Sequence, residues 1–259
     1  MPVSRRSLRW IIAAVVGVLL VVVGGPFVYI NFIKEDAPDK LTFADAAATT
    51  VPGATAGATT ASSGTTTGAG ATTAPSAAGA TTAAPSGTGE AWNISTGTQV
   101  GYRVKEVLFG QSTEGVGRTS SVKGSLRLDG TTVTSVDVTV DMTTVKSDES
   151  RRDGQFNGSI MAVSQFPTAT FKLTRPIALG SLPADGTEIK ATGTGDLTLR
   201  GTTKTVDIAL TARRANGQIQ VLGSYDVKFS DWKIPAPSAP GITTEDHGLL
   251  ELLLVFAKA

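Results

Sequence analysis

Chemistry has few places to reside in this chain of 259 residues. It has no cysteine and one histidine. That removes disulfides, thiol catalysis, Cys-based zinc or iron–sulfur sites, and any site needing several histidines. His247 stands in Glu245-Asp246-His247. Adjacent residues of an extended chain point to opposite sides, so these three do not converge on a metal, and His247 reads as a turn residue. No G-x-S-x-G motif offers a nucleophile for a Ser/His/Asp arrangement. The chain therefore reads as a non-enzyme without metal or cofactor. The remaining candidate is Arg151-Arg152-Asp153. A guanidinium can hold a diphosphate through paired hydrogen bonds, or can form an ion pair with Asp153 or a strand carboxylate. A formal charge of +1 gives no basic surface for nucleic acid.

Whatever positions Arg152 is built from strands. Val136, Val138, Val140 and Met142 alternate with Asp137, Thr139 and Asp141, the pattern of a half-buried antiparallel strand. It recurs in Val100/Tyr102/Val104, Val122/Leu126/Leu128, Ala169/Phe171/Leu173, Leu197/Leu199, Val206/Ile208/Leu210 and Ile219/Val221/Tyr225/Val227/Phe229. Turns are expected at Asp129-Gly130, Asp185-Gly186 and Asn216-Gly217. The count is about eight strands. A meander of that size resolves its edges by closing into a barrel, whose bore holds packed side chains or one slim ligand.

Two segments stand apart. Ser147 to Ile160 predicts one short helix, with Ser147 or Asp148 as N-cap, Phe156 and Ile160 on one face, and Gly154 and Gly158 weakening it. The last strand, Leu249 to Phe256, is apolar on both faces and needs a cover outside the barrel. The helix or the 233–244 loop is the expected cover. Trp232, followed by Pro235, Pro237 and Pro240, reads as a barrel plug or a core residue.

Ahead of the strands, Trp10 to Ile33 carries no charge over a length sufficient to span a bilayer. Arg5, Arg6 and Arg9 precede it, so the positive-inside rule leaves residues 1–9 cytoplasmic and exports the rest. The expectation is a single-pass signal anchor over 10–33 in the cell membrane, with an extracytoplasmic C-terminal domain. A cleaved signal peptide is the rival, which Gly24-Gly25-Pro26 at the end of the run disfavours. Residues 34–43 form a juxtamembrane segment. Residues 44–90, almost wholly Ala, Thr, Gly, Ser and Pro, read as a disordered linker. A coil of that length spans about 40 Å on average, a spacer lifting the 91–259 domain off the membrane. Its Thr, Ser and Pro content also resembles O-glycosylated stalks.

Four pieces in order then carry a family resemblance: Trp92-Asn93-Ile94; Arg152-Asp153 with Phe156; Phe166-Pro167-Thr168-Ala169-Thr170-Phe171; and Gly195-Asp196-Leu197-Thr198-Leu199-Arg200-Gly201-Thr202-Thr203-Lys204. Phe229-Ser230-Asp231-Trp232 fits the penultimate strand and loop. Trp92 to Lys258 resembles the YceI-like family of bacterial exported lipid-binding domains. The resemblance implies an all-β, extended, lipocalin-like antiparallel barrel whose apolar tunnel holds an isoprenoid chain, a polyprenyl phosphate or a quinone. The family's His-Ser pair before the first strand and the His at that strand's end are replaced by Gly97-Thr98 and Glu106. If the bore is open, its expected lining is Tyr102, Val104, Val138, Val140, Phe156, Ile160, Phe171, Leu197, Leu199, Ile208, Tyr225, Val227, Phe229 and Leu252, with Arg152 at the headgroup. From alternation alone, the same residues could instead fill a solid core, and the domain would then be a ligand-free extracytoplasmic interaction or stress-response module. A homodimer that extends the tunnel or caps its mouth is compatible with the sequence.

Overall fold

The computed structural model describes residues 37–46, 89–108, 110–239 and 242–259. The predicted tail, the 10–33 span and most of the 44–90 linker lie outside the described residues. Among the described residues no helix is long and apolar enough to cross a membrane.

The strands are β1 Glu90–Ile94, β2 Gln99–Leu108, β3 Gln111–Thr119, β4 Val122–Asp129, β5 Thr132–Asp141, β6 Lys146–Ser147, β7 Thr168–Leu173, β8 Ile177–Ala178, β9 Glu188–Leu199, β10 Thr202–Ala215, β11 Gln218–Lys228, β12 Ser238–Ala239, β13 Ile242–Thr244 and β14 His247–Lys258. Every ladder among them is antiparallel. β14 pairs with β11 along one edge, and with β2 and then β1 along the other. β1 and β2 thus behave as one broken strand, answered across the ladder by β4 and β3. The ring runs on through β5, β7, β9, β10 and β11 and closes at β14. The result is an eight-stranded antiparallel barrel, and closure removes the open edges that a meander would expose.

Local chemistry fixes the joints. Asn216 and Gly217 both take positive φ, the hairpin turn whose twist matches its strands. At the β1–β2 break, the Thr98 hydroxyl accepts from the Val255 N–H at 2.9 Å, and Ser95 N–H donates to the Val255 carbonyl at 2.8 Å. Side chain and loop therefore replace the missing ladder bonds.

The short helix α1 spans Ser150–Gln155 and continues as a π turn over Phe156–Ile160. Its N-cap is Glu149, with no side-chain cap bond, in place of the expected Ser147 or Asp148. Ser147 lies in β6. Its hydroxyl accepts from the Glu149 N–H at 3.2 Å and donates to the Asp153 carboxylate at 2.8 Å. A six-residue helix containing Gly154 cannot hold itself. Phe156 holds it, buried in the main core and stacked on Tyr102 with ring centroids 4.9 Å apart.

The cover of β14 differs from expectation. Leu252, Leu254 and Phe256 face inward, while Leu253 and Val255 face outward with 0% exposure. Among the described residues, neither the helix nor the 233–244 loop packs on them. They are covered by Phe43, with Leu41, Ala46 and Leu222 packed around. The strap 37–46 crosses the outside of the barrel, where the Arg213 guanidinium sits 4.3 Å from the Phe43 ring centroid. The 233–244 segment instead forms β12 and β13, and β13 extends the sheet beside β2.

The strap also seals an ionic cluster on the same outer face. Arg103, 7% exposed, pairs with Glu251, 3% exposed, at 2.8 Å and with Glu114 at 2.6 Å; Arg118 reaches Glu251 at 3.3 Å. Arg103 donates to the Pro38 carbonyl at 2.6 Å, and Arg118 donates to that of Asp39. Burial pulls the Arg103 pKa down, but its bonds to Glu251 and Glu114 outweigh this and hold it above the usual value.

Phe43→Ala should therefore cost about 3 kcal/mol in denaturant unfolding, the range for a buried aromatic. Val107→Ala, at an exposed residue, should stay within about 0.5 kcal/mol.

Candidate ligand site

Inward alternation around the ring leaves a cavity of about 300 Å³ along the bore. That is the lower end of the ~300–1,000 Å³ usual for small-molecule pockets. Its wall is aliphatic and aromatic, with Val136, Val138 and Val140 from β5, Leu197 and Leu199 from β9, Ile208 and Leu210 from β10, and Leu252 and Leu254 from β14. Thr119 and Thr170 interrupt that wall. Charged side chains gather at the ends. Glu106 and Arg152 stand at the helix end, with Gln155 beside them; Arg214 stands at the β10–β11 hairpin end, near Leu182 and Pro183.

Of the residues expected along the tunnel, Tyr102, Val104, Val138, Val140, Phe156, Ile160, Phe171, Leu197, Leu199, Ile208, Val227, Phe229 and Leu252 lie on this wall, as does Arg152. Tyr225 does not. The 3-10 turn Phe229–Trp232 brings Trp232 back on it, and their rings meet edge to face at 6.0 Å. Trp232 is 1% exposed and belongs to the core. His247 is partly exposed beside Asp226, Glu245 and Asp246. Its pKa is raised, first by the hydrogen bond to Asp246. No cluster among the described residues is arranged to hold a metal.

The helix end is a compact polar cluster. Arg152 pairs with Asp148 one turn back on the chain and with Glu106 on β2 at 3.5 Å. Asp153 does not share it; that carboxylate accepts from Ser147 and lies 3.5 Å from Lys146. Desolvation opposes the Arg152 charge, but Glu106 and Asp148 overcome it and raise its pKa. Burial pushes the Tyr102 phenol well above its usual pKa, against the pull of Arg152, so it stays neutral. Glycines on β3 make this possible. A Cβ at Gly117 would overlap the Tyr102 ring, and one at Gly115 would crowd Glu106 and the Arg152 guanidinium.

Residues 92–256 match the family model of the YceI-like domain, more than half of the chain. The chain belongs to the YceI-like family. A polyisoprenoid-binding domain from Saccharophagus degradans implicated in plant cell wall breakdown is similar in structure, with a TM-score of 0.54 at 14% identity, covering 66% of this chain and 100% of that one. Burkholderia cenocepacia BcnA follows at TM-score 0.48 and 21% identity, over 61% of this chain and 95% of its own. A Campylobacter jejuni YceI protein reaches 0.42 at 17% identity, over 55% and 84%. No curated protein matches the chain.

For the family pattern, the geometry separates the two departures. Thr98 mends the ladder at Val255 and is not on the cavity wall; Glu106 is on it, against Arg152. The Glu106–Arg152 pair and the β3 glycines were not foreseen, because nothing local joins positions so far apart in the chain. The signal available was Gly115-Val116-Gly117 within a strand, a mark of close approach that also stands at Gly193-Thr194-Gly195 in β9.

Gly117→Ala should destabilise the domain by about 1–3 kcal/mol through the displaced Tyr102 ring. In a Tyr102→Leu background the same change should cost at least about 0.5 kcal/mol less, as read by thermal unfolding and the near-ultraviolet dichroism of the Tyr102–Phe156 stack.

Proposed function

We propose that this protein is a membrane-anchored, extracytoplasmic carrier that sheathes one isoprenoid chain in the barrel bore, without covalent chemistry. The observation that carries the reading is the cavity itself: a slender apolar bore with its charges confined to the ends. Moving a long hydrocarbon from water into such a wall gains roughly 25 cal/mol per Å² of apolar surface removed. Between the ends the described lining is apolar apart from Thr119, Thr170 and the unpartnered Trp92 indole N–H, so little polar surface opposes burial of a hydrocarbon. The polyisoprenoid-binding relative supports the ligand class. The uncharged run at 10–33 supports the anchor, and the arginines before it support export of the barrel.

The headgroup we favour is uncharged and of quinone type. At the helix end the Arg152 charge is already met by Glu106 and Asp148, so two carboxylates face one guanidinium. A phosphate placed there would meet net negative charge and would have to displace a partner. A neutral carbonyl headgroup needs only a hydrogen bond, which the Tyr102 phenol or the Arg152 guanidinium can donate. A second reading rests on Arg214, exposed on the wall at the opposite end. A phosphorylated lipid would put its headgroup there.

Titration with a polyprenyl quinone and with a polyprenyl phosphate, followed by intrinsic fluorescence, tests both. Val138→Phe, which fills the bore, should weaken quinone binding at least tenfold with the far-ultraviolet dichroism unchanged. Undiminished affinity would place the ligand outside the barrel. Glu106→Gln should strengthen phosphate binding and leave quinone binding nearly unchanged. If Arg214→Ala instead weakens the phosphate selectively in an otherwise phosphate-preferring protein, the second reading holds.

A further inference from the structure

The strap and the spacing of the chain bear on how the barrel sits at the membrane, an inference that rests on the anchor reading above. Residues 37–46 are fastened at several points. The Pro38 and Asp39 carbonyls accept from Arg103 and Arg118, Phe43 fills the space over Leu253 and Val255, and the Phe43 carbonyl accepts from Arg213 at 3.4 Å. Releasing the strap would open two apolar side chains that are 0% exposed, together with the Arg103–Glu251 pair, 7% and 3% exposed. Removing one partner from a buried ionic cluster is costly.

The uncharged run ends at Ile33, only four positions before the strap begins at Ala37. Fully extended, that interval reaches about 14 Å. The Ala/Thr/Gly/Ser tract comes later, between Ala46 and Gly89. Both of those residues lie on the barrel: Ala46 against Gly97, and Gly89 against Leu128. A segment that starts and finishes on one rigid body cannot set that body's distance from anything else.

We infer that the 37–46 strap, not the Ala/Thr-rich tract, joins the barrel to the membrane anchor. The barrel is held within about 14 Å of the bilayer with the β2–β14–β11 face tied toward the anchor, and the 47–88 tract is an excursion from the barrel and back. This replaces the spacer expected from composition. It also suits the ligand: a carrier held at the surface takes up an insoluble lipid without having to cross tens of ångströms of water.

The test uses the full chain in vesicles of phosphatidylethanolamine and phosphatidylglycerol. The native chain has no cysteine, so Ser181→Cys, at an exposed position, carries the only dye. Energy transfer to an acceptor lipid reads the distance from the membrane. Shortening the 47–88 tract to about 15 residues, enough to bridge roughly 50 Å, should leave the transfer unchanged. Phe43→Ser with Leu41→Ser should release the strap and lower the transfer, because residues 34–88 then act as one coil spanning on the order of 40 Å. Transfer that rises when the tract is shortened would overturn the strap's role while leaving the anchor intact. Protein that fails to float with vesicles would overturn the anchor, and the inference with it. If the double variant does not fold, the shortened-tract comparison alone still decides between strap and tract.

Discussion

Closure of an eight-strand ring is the constraint on which the rest depends. Once β14 meets both β11 and the broken β1–β2 strand, every second side chain is forced inward, and the bore is only wide enough for packed side chains or one slim guest. This chain supplies the inner face largely with Val, Leu and Ile, and uses Gly195 beside Phe171 and Gly117 beside Tyr102 where rings lie against backbone. Aliphatic residues of that size do not meet across the axis, and the bore keeps a cavity of about 300 Å³. The helix is positioned by the same logic. Too short to be stable alone, it persists because Phe156 completes the core at one end of the bore.

Closure also creates the second problem the fold solves. β14 is apolar on its outer face as well, and it carries Glu251 in the middle of that face. One segment, 37–46, answers both. Phe43 and Leu41 cover Leu253 and Val255, and the backbone carbonyls of Pro38 and Asp39 complete the arginines that neutralise Glu251. Burying Arg103 and Glu251 is tolerable because each hydrogen-bonds charged partners and no unpaired charge is left. The inner and outer faces of one strand thereby tie the apolar bore to the 37–46 strap.

Much of the barrel was legible in the residues. Period-two alternation located the ring strands, and Asn216-Gly217 fixed a hairpin, because a half-buried strand writes its two faces directly into the sequence. Tyr225 shows where that rule runs out. It lies on the inward-facing side of β11, but the turn Phe229–Trp232 curls the end of the strand so that its ring meets Trp232 and not the bore. The strap was hidden for another reason. Its residues have no periodicity and run into a low-complexity tract, so composition assigned them to a juxtamembrane segment and a linker. The missing information was on the other partner: a two-faced apolar strand with a single carboxylate demands a cover that brings hydrogen bonds. For Arg152 the sequence offers Asp153 or an unnamed strand carboxylate as partner, and the structure pairs it with Glu106 on β2 and Asp148. Glu106 is brought to it by β2–β3 pairing, a long-range contact that no local pattern encodes.

The central claim is that the bore holds an isoprenoid chain in the living membrane. Native mass spectrometry of the full chain, extracted gently from the membranes in which it is made, tests it most directly. The account predicts a population heavier than the polypeptide by the mass of one isoprenoid lipid, released by organic solvent. A polypeptide that repeatedly carries no such added mass would contradict it.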